Sequence, residues 1–383
     1  MTKNNIAKKD VGRSNKAKGA RRINGAGTAS ELRLTIGLDL GDRRSRYYAL
    51  NHNGEMIQEE AVATTRAGLQ SIPGAAVGSR IIIEVGCHSP WVSRWLKELG
   101  FEVIVANARK VAMISQSTRK NDRMDAQTLA RLGRIDPKLL APIQHRSEQG
   151  QRDLAVIRLR AQLVDQRTEL INCARGTVKA MGGRLPSCEG KDIGVEKLAG
   201  WKLGQALEQL LKPLFTVLDH LNEQIAAYER EIAALKERYP QIQLLTPVYG
   251  VGELIALTYV LTLEDAAKFR RSRDVGPYLG LTSKQRDSGL SQPQMHITKE
   301  GDRYLRKLMV QAAQCMLKPG AQESDLRRWA VGHFRPGDKK GKKKAVVGLA
   351  RRIAVLLHKL WVNGEVYKPN YQPKRQKAVP AAA

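Results

Sequence analysis

Between residues 34 and 106, short apolar runs alternate with polar punctuation at strand length. Residues 34–39 form an apolar run ending in Gly37-Leu38-Asp39. Residues 46–50 predict a second strand, and 56–63 a third, returned by the hairpin signal Asn53-Gly54. A short helix near 67–72 precedes the run 80–85, whose consecutive Ile81, Ile82 and Ile83 predict a strand buried on both faces. Pro90 opens a helix that runs to Leu99. Residues 101–106 give the fifth strand, and helical sequence resumes from Arg109 and again over 122–132. The order β-β-β-α-β-α-β-α matches the ribonuclease H arrangement, a statement about topology that leaves function open.

From Glu148 to Met181 the pattern predicts a long polar helix, and 182–200 is a glycine-rich break. Leu211, Leu214, Leu218, Leu221, Ile225, Tyr228, Ile232 and Leu235 then alternate at spacings of three and four, an apolar seam kept over several heptads. Such a helix requires a partner, either the 148–181 helix of the same chain or another subunit, and the spacing leaves both open. Pro240 ends it, and helix-rich sequence continues from Leu244 to Trp361. The most apolar window, 244–263, is interrupted by Pro247, Gly250, Gly252 and Glu253, so no membrane role is expected.

Charge changes the picture. The 383 residues carry 65 Lys and Arg against 37 Asp and Glu, a formal net charge of +28, which calls for a polyanionic partner. Residues 1–30 hold eight Lys or Arg against Asp10 alone and almost no large apolar side chain, so a disordered basic arm is expected. From Val331 onward thirteen Lys or Arg face only Asp338 and Glu365, with Lys339, Lys340, Lys342, Lys343 and Lys344 clustered. These clusters suit contacts with phosphate backbones. Cys87, Cys173, Cys188 and Cys315 form no C-x-x-C pair, which argues against a zinc ribbon or a disulfide framework. No apolar stretch follows the basic start, so a cytosolic location is expected.

Four acids fall at matching topological positions: Asp39 at the end of the first strand, Glu84 near the end of the buried strand, and Asp122 and Asp125 one turn apart on one helix face. In a ribonuclease H-like sheet these strand ends adjoin and the last helix crosses them. A cluster of carboxylates repels itself, and one or two Mg²⁺ ions both relieve that repulsion and clamp a phosphodiester. His88, close to Glu84, reads as a satisfied loop histidine. In the C-terminal half, Gly250-Val251-Gly252 before an apolar helix resembles a helix-hairpin-helix turn that lets amides approach a phosphate. Ser288 lies beside Gly289 on a loop flanked by Lys284, Arg286, Lys299, Arg303 and Arg306, where cations would hold a scissile phosphate. It is a candidate nucleophile that needs a base or metal to activate it; on composition Ser283 and Ser291 are equally eligible.

These residues together resemble the DEDD-type insertion-sequence transposases of the IS110 family, most closely its IS1111 branch. The carriers are Gly37-Leu-Asp39, Glu84 with Gly86-Cys-His-Ser-Pro-Trp91, Lys120-Asn-Asp122-Arg-Met-Asp125-Ala126, Gly280-Leu-Thr, Lys284-Gln-Arg-Asp-Ser288-Gly289, Ile297-Thr-Lys, Gly301-Asp-Arg-Tyr-Leu-Arg306, and the stretch from Ala345 through Trp361 to Tyr367. The resemblance implies an α/β plus all-α chain. Its parts would be the arm 1–30, a RuvC-like catalytic domain over 31–145, a coiled-coil connector over 146–240, a helical transposase domain over 241–368 and a disordered tail 369–383. It further implies that Asp39, Glu84, Asp122 and Asp125 hold Mg²⁺ and that Ser288 forms a phosphoserine link to DNA, so that rejoining needs no ATP. The implied partners are donor and target DNA, a structured non-coding guide RNA, and copies of the chain itself, as a dimer to tetramer whose active sites combine domains of different subunits. Ser283 stands where a proline is common in the family. Three other readings remain: a DNA invertase of the same family, a junction nuclease using the acids and water alone, and a non-enzymatic nucleic-acid binder.

Overall fold

The computed structural model describes residues 33–74, 78–107, 122–288, 291–293 and 295–370, without the side chains of Asp122 and Arg123. The expected basic arm, the helical sequence from Arg109 and most of the tail 369–383 lie outside the described residues. The chain divides into two compact units, 1–145 and 146–383.

The first unit is a mixed five-stranded sheet with helices on both faces. Strands β1 (Thr35–Asp39), β2 (Arg44–Leu50) and β3 (Met56–Ala63) form an antiparallel meander. After α1 (Arg66–Gln70), strand β4 (Arg80–Glu84) pairs parallel to β1. Beyond α2 (Ser89–Glu98), β5 (Glu102–Ala106) pairs parallel to β4. The strand order β3-β2-β1-β4-β5, followed by α3 (Asp122–Ile135), is consistent with the ribonuclease H-like arrangement expected from the element order. The isoleucine run of β4 explains why the sheet is covered twice. Ile81 and Ile83 join Ile36, Leu38, Val92 and Leu96 on one face, while Ile82 packs with Leu129, Leu132 and Leu140 on the other.

The second unit is helical. Helices α4 (Glu148–Ala180) and α5 (Gln205–Arg238) pair within the chain, one of the two partners that the apolar seam left open. Their cross-links run antiparallel: Asp153 accepts from Arg238 at 2.9 Å, Arg160 meets Glu229 at 2.5 Å, and Arg167 donates to Asn222 at 2.8 Å. The buried face of α5 is Leu211, Phe215, Leu218, Ile225, Ile232 and Leu235. Phe215 takes the inward position where the heptad reading put Leu214, because its ring packs edge-on against Trp201 of the segment joining the two helices, at 5.8 Å. Leu214, Leu221 and Tyr228 are half-buried at the margin.

Helix α6 (Glu253–Leu263) runs through the centre of the remaining bundle, with every residue from Ala256 to Leu263 buried. It is enclosed with α7 (Arg303–Met316), α8 (Asp325–Val331) and α9 (Lys339–Asn363). Leu154, Ile157, Ile232 and Leu235 belong to the same core, so the expected connector and C-terminal domain form one compact unit. Helix α6 is the apolar window noted in the sequence. Among the described residues no helix is long and apolar enough to cross a membrane.

Candidate active site

Asp39 and Glu84 are the last residues of β1 and β4, parallel neighbours whose register pairs Leu38 with Ile83. One step further along that register brings the two carboxylates to the same edge of the sheet, at the carboxyl ends of the strands where open α/β sheets bind ligands. Both line a cleft of about 440 Å³, together with Leu40, Asp42, Val85, Gly86, Cys87 and His88.

Helix α3 is brought over β1 by a glycine. A Cβ at Gly37 would stand 1.9 Å from the carbonyl oxygen of Ala126 and 2.5 Å from the amide nitrogen of Ala130. Only the bare backbone of Gly37 allows that approach, and it sets Ala126 against the strand two residues before Asp39. Asp125, the residue before Ala126 on the helix, is half-buried. Asp122 is the first residue of α3, and its side chain lies outside the described residues.

Among the described residues no group of three or more His, Cys, Asp or Glu is placed to hold a metal ion. Asp39 and Glu84 are nevertheless the hard oxygen donors that fit Mg²⁺, which takes one or two carboxylates and fills its other positions with water and phosphate.

Ser288 sits in the second unit, at the tip of an irregular hairpin. Thr298 donates its amide to Thr282 O at 2.8 Å, Lys284 to His296 O at 2.9 Å, and Ser288 and Ser291 exchange backbone bonds at 3.1 and 3.0 Å. Ser288 is exposed, as are Lys284, Arg286, Lys299 and Arg303. Arg306 is half-buried, and its Nη1 donates to Leu279 O at 2.9 Å and Glu300 O at 2.7 Å, which ties the hairpin base to α7. Burial lowers the pKa of its guanidinium, within a range where it stays charged. Asp302 caps α7 through the Leu305 amide at 2.8 Å and accepts from Arg158 of α4 at 2.6 Å.

The two glycines of the expected phosphate turn have separate uses. Gly250 adopts a φ of +82°, and a Cβ there would lie 2.8 Å from Ala312 O, so it serves close packing on α7. Gly252 precedes α6 with open space around it, but Glu253, paired with Lys236, already supplies an acid to that helix start. Among residues that sequence reasoning passed over, Asp42 enters the cleft; its signal was the loop Leu40-Gly41-Asp42 directly after the first strand. His88 also lines the cleft, where a loop histidine without a role was expected.

Comparison with known proteins adds the following. A family model described as the DEDD_Tnp_IS110 transposase matches residues 36–182, and one described as transposase of the IS116/IS110/IS902 family matches residues 242–325. The chain is 25% identical over 340 residues to the transposase for insertion sequence element IS1111A of Coxiella burnetii, covering 87% of this chain and 91% of that one. It is 26% identical over 343 residues to a probable family 20 transposase of Pseudomonas aeruginosa, covering 87% and 98%. It is also 26% identical over 306 residues to the transposase for insertion sequence element IS1328 of Yersinia enterocolitica, covering 78% and 89%.

Proposed function

Because the chain belongs to the IS110 family of insertion-sequence transposases, enzymes that cut and rejoin DNA, we propose that it moves its element through a phosphoserine intermediate formed at Ser288 and assisted by the acidic cleft. The observation that carries this reading is the convergence of Asp39 and Glu84 on one cleft at the carboxyl edge of a ribonuclease H-like sheet.

In this mechanism Ser288 Oγ forms a bond to the phosphorus of the target phosphodiester, and the bond from that phosphorus to one sugar oxygen breaks. The sugar oxygen leaves as a hydroxyl, taking up a proton, and the serine gives its proton up. The phosphodiester energy is kept in the serine ester, so attack by a sugar hydroxyl from another end reverses the exchange and joins the strands without ATP. Asp39 and Glu84, with Asp122 and Asp125 from α3, would hold the divalent cation, Mg²⁺ in this reading. When bound it neutralises charge on the phosphate oxygens. Ser288, at an exposed hairpin tip whose described bonds are backbone bonds, depends on such help from elsewhere. In the DNA-bound oligomer, the acids and the serine act on one phosphodiester.

The net charge of +28 supports a nucleic-acid partner beyond the cut site, and in this reading a structured guide RNA selects the DNA. In this reading copies of the chain assemble into dimers and tetramers. A helix-hairpin-helix role for 250–252 retains support only at Gly252. The cytosol is the proposed location.

The test uses a supercoiled plasmid carrying the joined ends of the element with its adjoining non-coding DNA. Asp39→Asn and Glu84→Gln are expected to abolish strand cutting, and Ser288→Ala to abolish the covalent protein–DNA adduct. Cutting that survives Ser288→Ala favours the junction nuclease, and activity untouched by all three favours a non-enzymatic binder. A single dominant RNA species recovered with the purified protein tests the guide.

A further inference from the structure

The run Gly86-Cys87-His88-Ser89-Pro90-Trp91 links Glu84 to α2, and the function proposed above makes no use of it. Ser89 is fully buried and closes the turn on itself, accepting from the Gly86 amide at 2.9 Å and donating to Gly86 O at 2.8 Å. Pro90 sits in the first turn of α2, where its fixed φ suits a helix start. Trp91 donates its indole N–H to His88 Nδ1 at 3.2 Å. An indole nitrogen has no acceptor capacity, so Nδ1 is the bare nitrogen and the imidazole hydrogen resides on Nε2. The whole segment therefore fixes the tautomer and direction of one group, the His88 Nε2–H.

That group belongs to the acidic cleft. It meets Asp42 Oδ1 at 3.5 Å, a long contact to a carboxylate that is 91% exposed and serves no packing purpose. Asp39, Asp42 and Glu84 all present carboxyl groups to the cleft, and an entering phosphodiester brings a further negative charge. Among the described side chains lining the cleft, His88 holds the one nitrogen donor.

We infer that His88 is a further catalytic residue, whose Nε2–H, aimed by Trp91, donates a hydrogen bond to a non-bridging oxygen of the phosphate being cut. This rests on reading the cleft as the cutting site. In the free protein Asp42 is the carboxylate that faces this nitrogen, 3.5 Å away; on DNA binding the phosphate oxygen takes that place, and the solvated Asp42 returns to water. The bond strengthens as the phosphoryl oxygens gain charge in the transition state, so the donor accelerates cutting more than it tightens binding.

The experiment measures cutting of the same plasmid by the full chain at saturating DNA, beside melting temperature and DNA retention. His88→Asn preserves an acceptor for Trp91 and cannot reach the Nε2 position, and His88→Ala removes both. Each is expected to lower the cutting rate about 10²-fold, the scale of a lost transition-state donor, with melting and retention unchanged. His88→Gln places an amide nitrogen near the Nε2 position and is expected to recover most of the loss. Cutting by His88→Asn within about twofold of the wild type overturns the inference, as does a His88→Gln variant as slow as His88→Ala. Asp39→Asn separates the two levels. If it still cuts, the reading of the cleft fails and the inference with it; if it is inactive while His88→Asn cuts normally, only the role of His88 falls.

Discussion

In the acidic cleft, Asp39 and Glu84 are carried by hydrogen-bonded parallel strands, the first of which seats a helix on the bare backbone of Gly37. In the serine hairpin, by contrast, Ser288 rides on isolated bridges whose base is tied down by the side chain of Arg306. Carboxylates that share a charged centre need positions fixed by the sheet itself, because mutual repulsion drives them apart. In the proposed mechanism the serine must reach DNA and then hold a strand end, which the exposed position of Ser288 allows.

The comparison breaks most severely at Gly37. Gly37→Ala forces α3 off the sheet, because the new Cβ meets backbone atoms that cannot turn aside. A loss of about 3 kcal/mol is expected in denaturant unfolding, with cutting abolished. Retained stability and cutting would mean that α3 has no part in placing the cleft.

Arg306→Ala attacks the hairpin in its own way. Losing two bonds from a charged donor to carbonyls costs about 2 kcal/mol and frees the loop. Faster tryptic cleavage at Lys284, Arg286 and Lys299 is expected, together with a lower adduct yield and an intact first unit. Asp302→Ala is milder: it removes the cap of α7 and the tie to Arg158, and about 1 kcal/mol is expected from thermal melting.

The smallest effect concerns the packing that supports the second unit. The Tyr239 phenol is pushed up to about 12 by burial and by its bond to Asp153. The folded state thus holds this proton more tightly than the unfolded chain does. Its contribution is fully present below the unfolded value of about 10 and is lost as pH rises through about 12. Alkaline unfolding curves of the wild type and Tyr239→Phe are expected to converge over that interval.

The contrast also explains what the sequence made legible. The five strands followed from short apolar runs, the consecutive isoleucines of 81–83 and the Asn53-Gly54 turn, and the ends of the first and fourth strands located Asp39 and Glu84 because parallel register is regular. The intrachain pairing of α4 and α5 was undecided, since an apolar seam states the need for a partner without identifying it. Phe215 displaced Leu214 from the inward face through Trp201, a contact made across a loop that carries no periodic signal. The bonds from Arg306 to two backbone carbonyls were not legible, because a basic residue near a loop serine looks alike whether its guanidinium faces solvent or backbone. The orientation of His88, read from the sequence as a satisfied loop histidine, was not legible either: the Trp91 bond that aims its ring is visible only in three dimensions.

The central claim is that the acids of one unit and the serine of the other work on a single phosphodiester. Mass mapping of the DNA-linked peptide, in the wild type and in Asp39→Asn, tests it most directly. The account predicts a nucleotide attached to Ser288 in the wild type and none in the variant. Attachment at Ser283, Ser291 or any other residue, or an undiminished Ser288 adduct in Asp39→Asn, would contradict it.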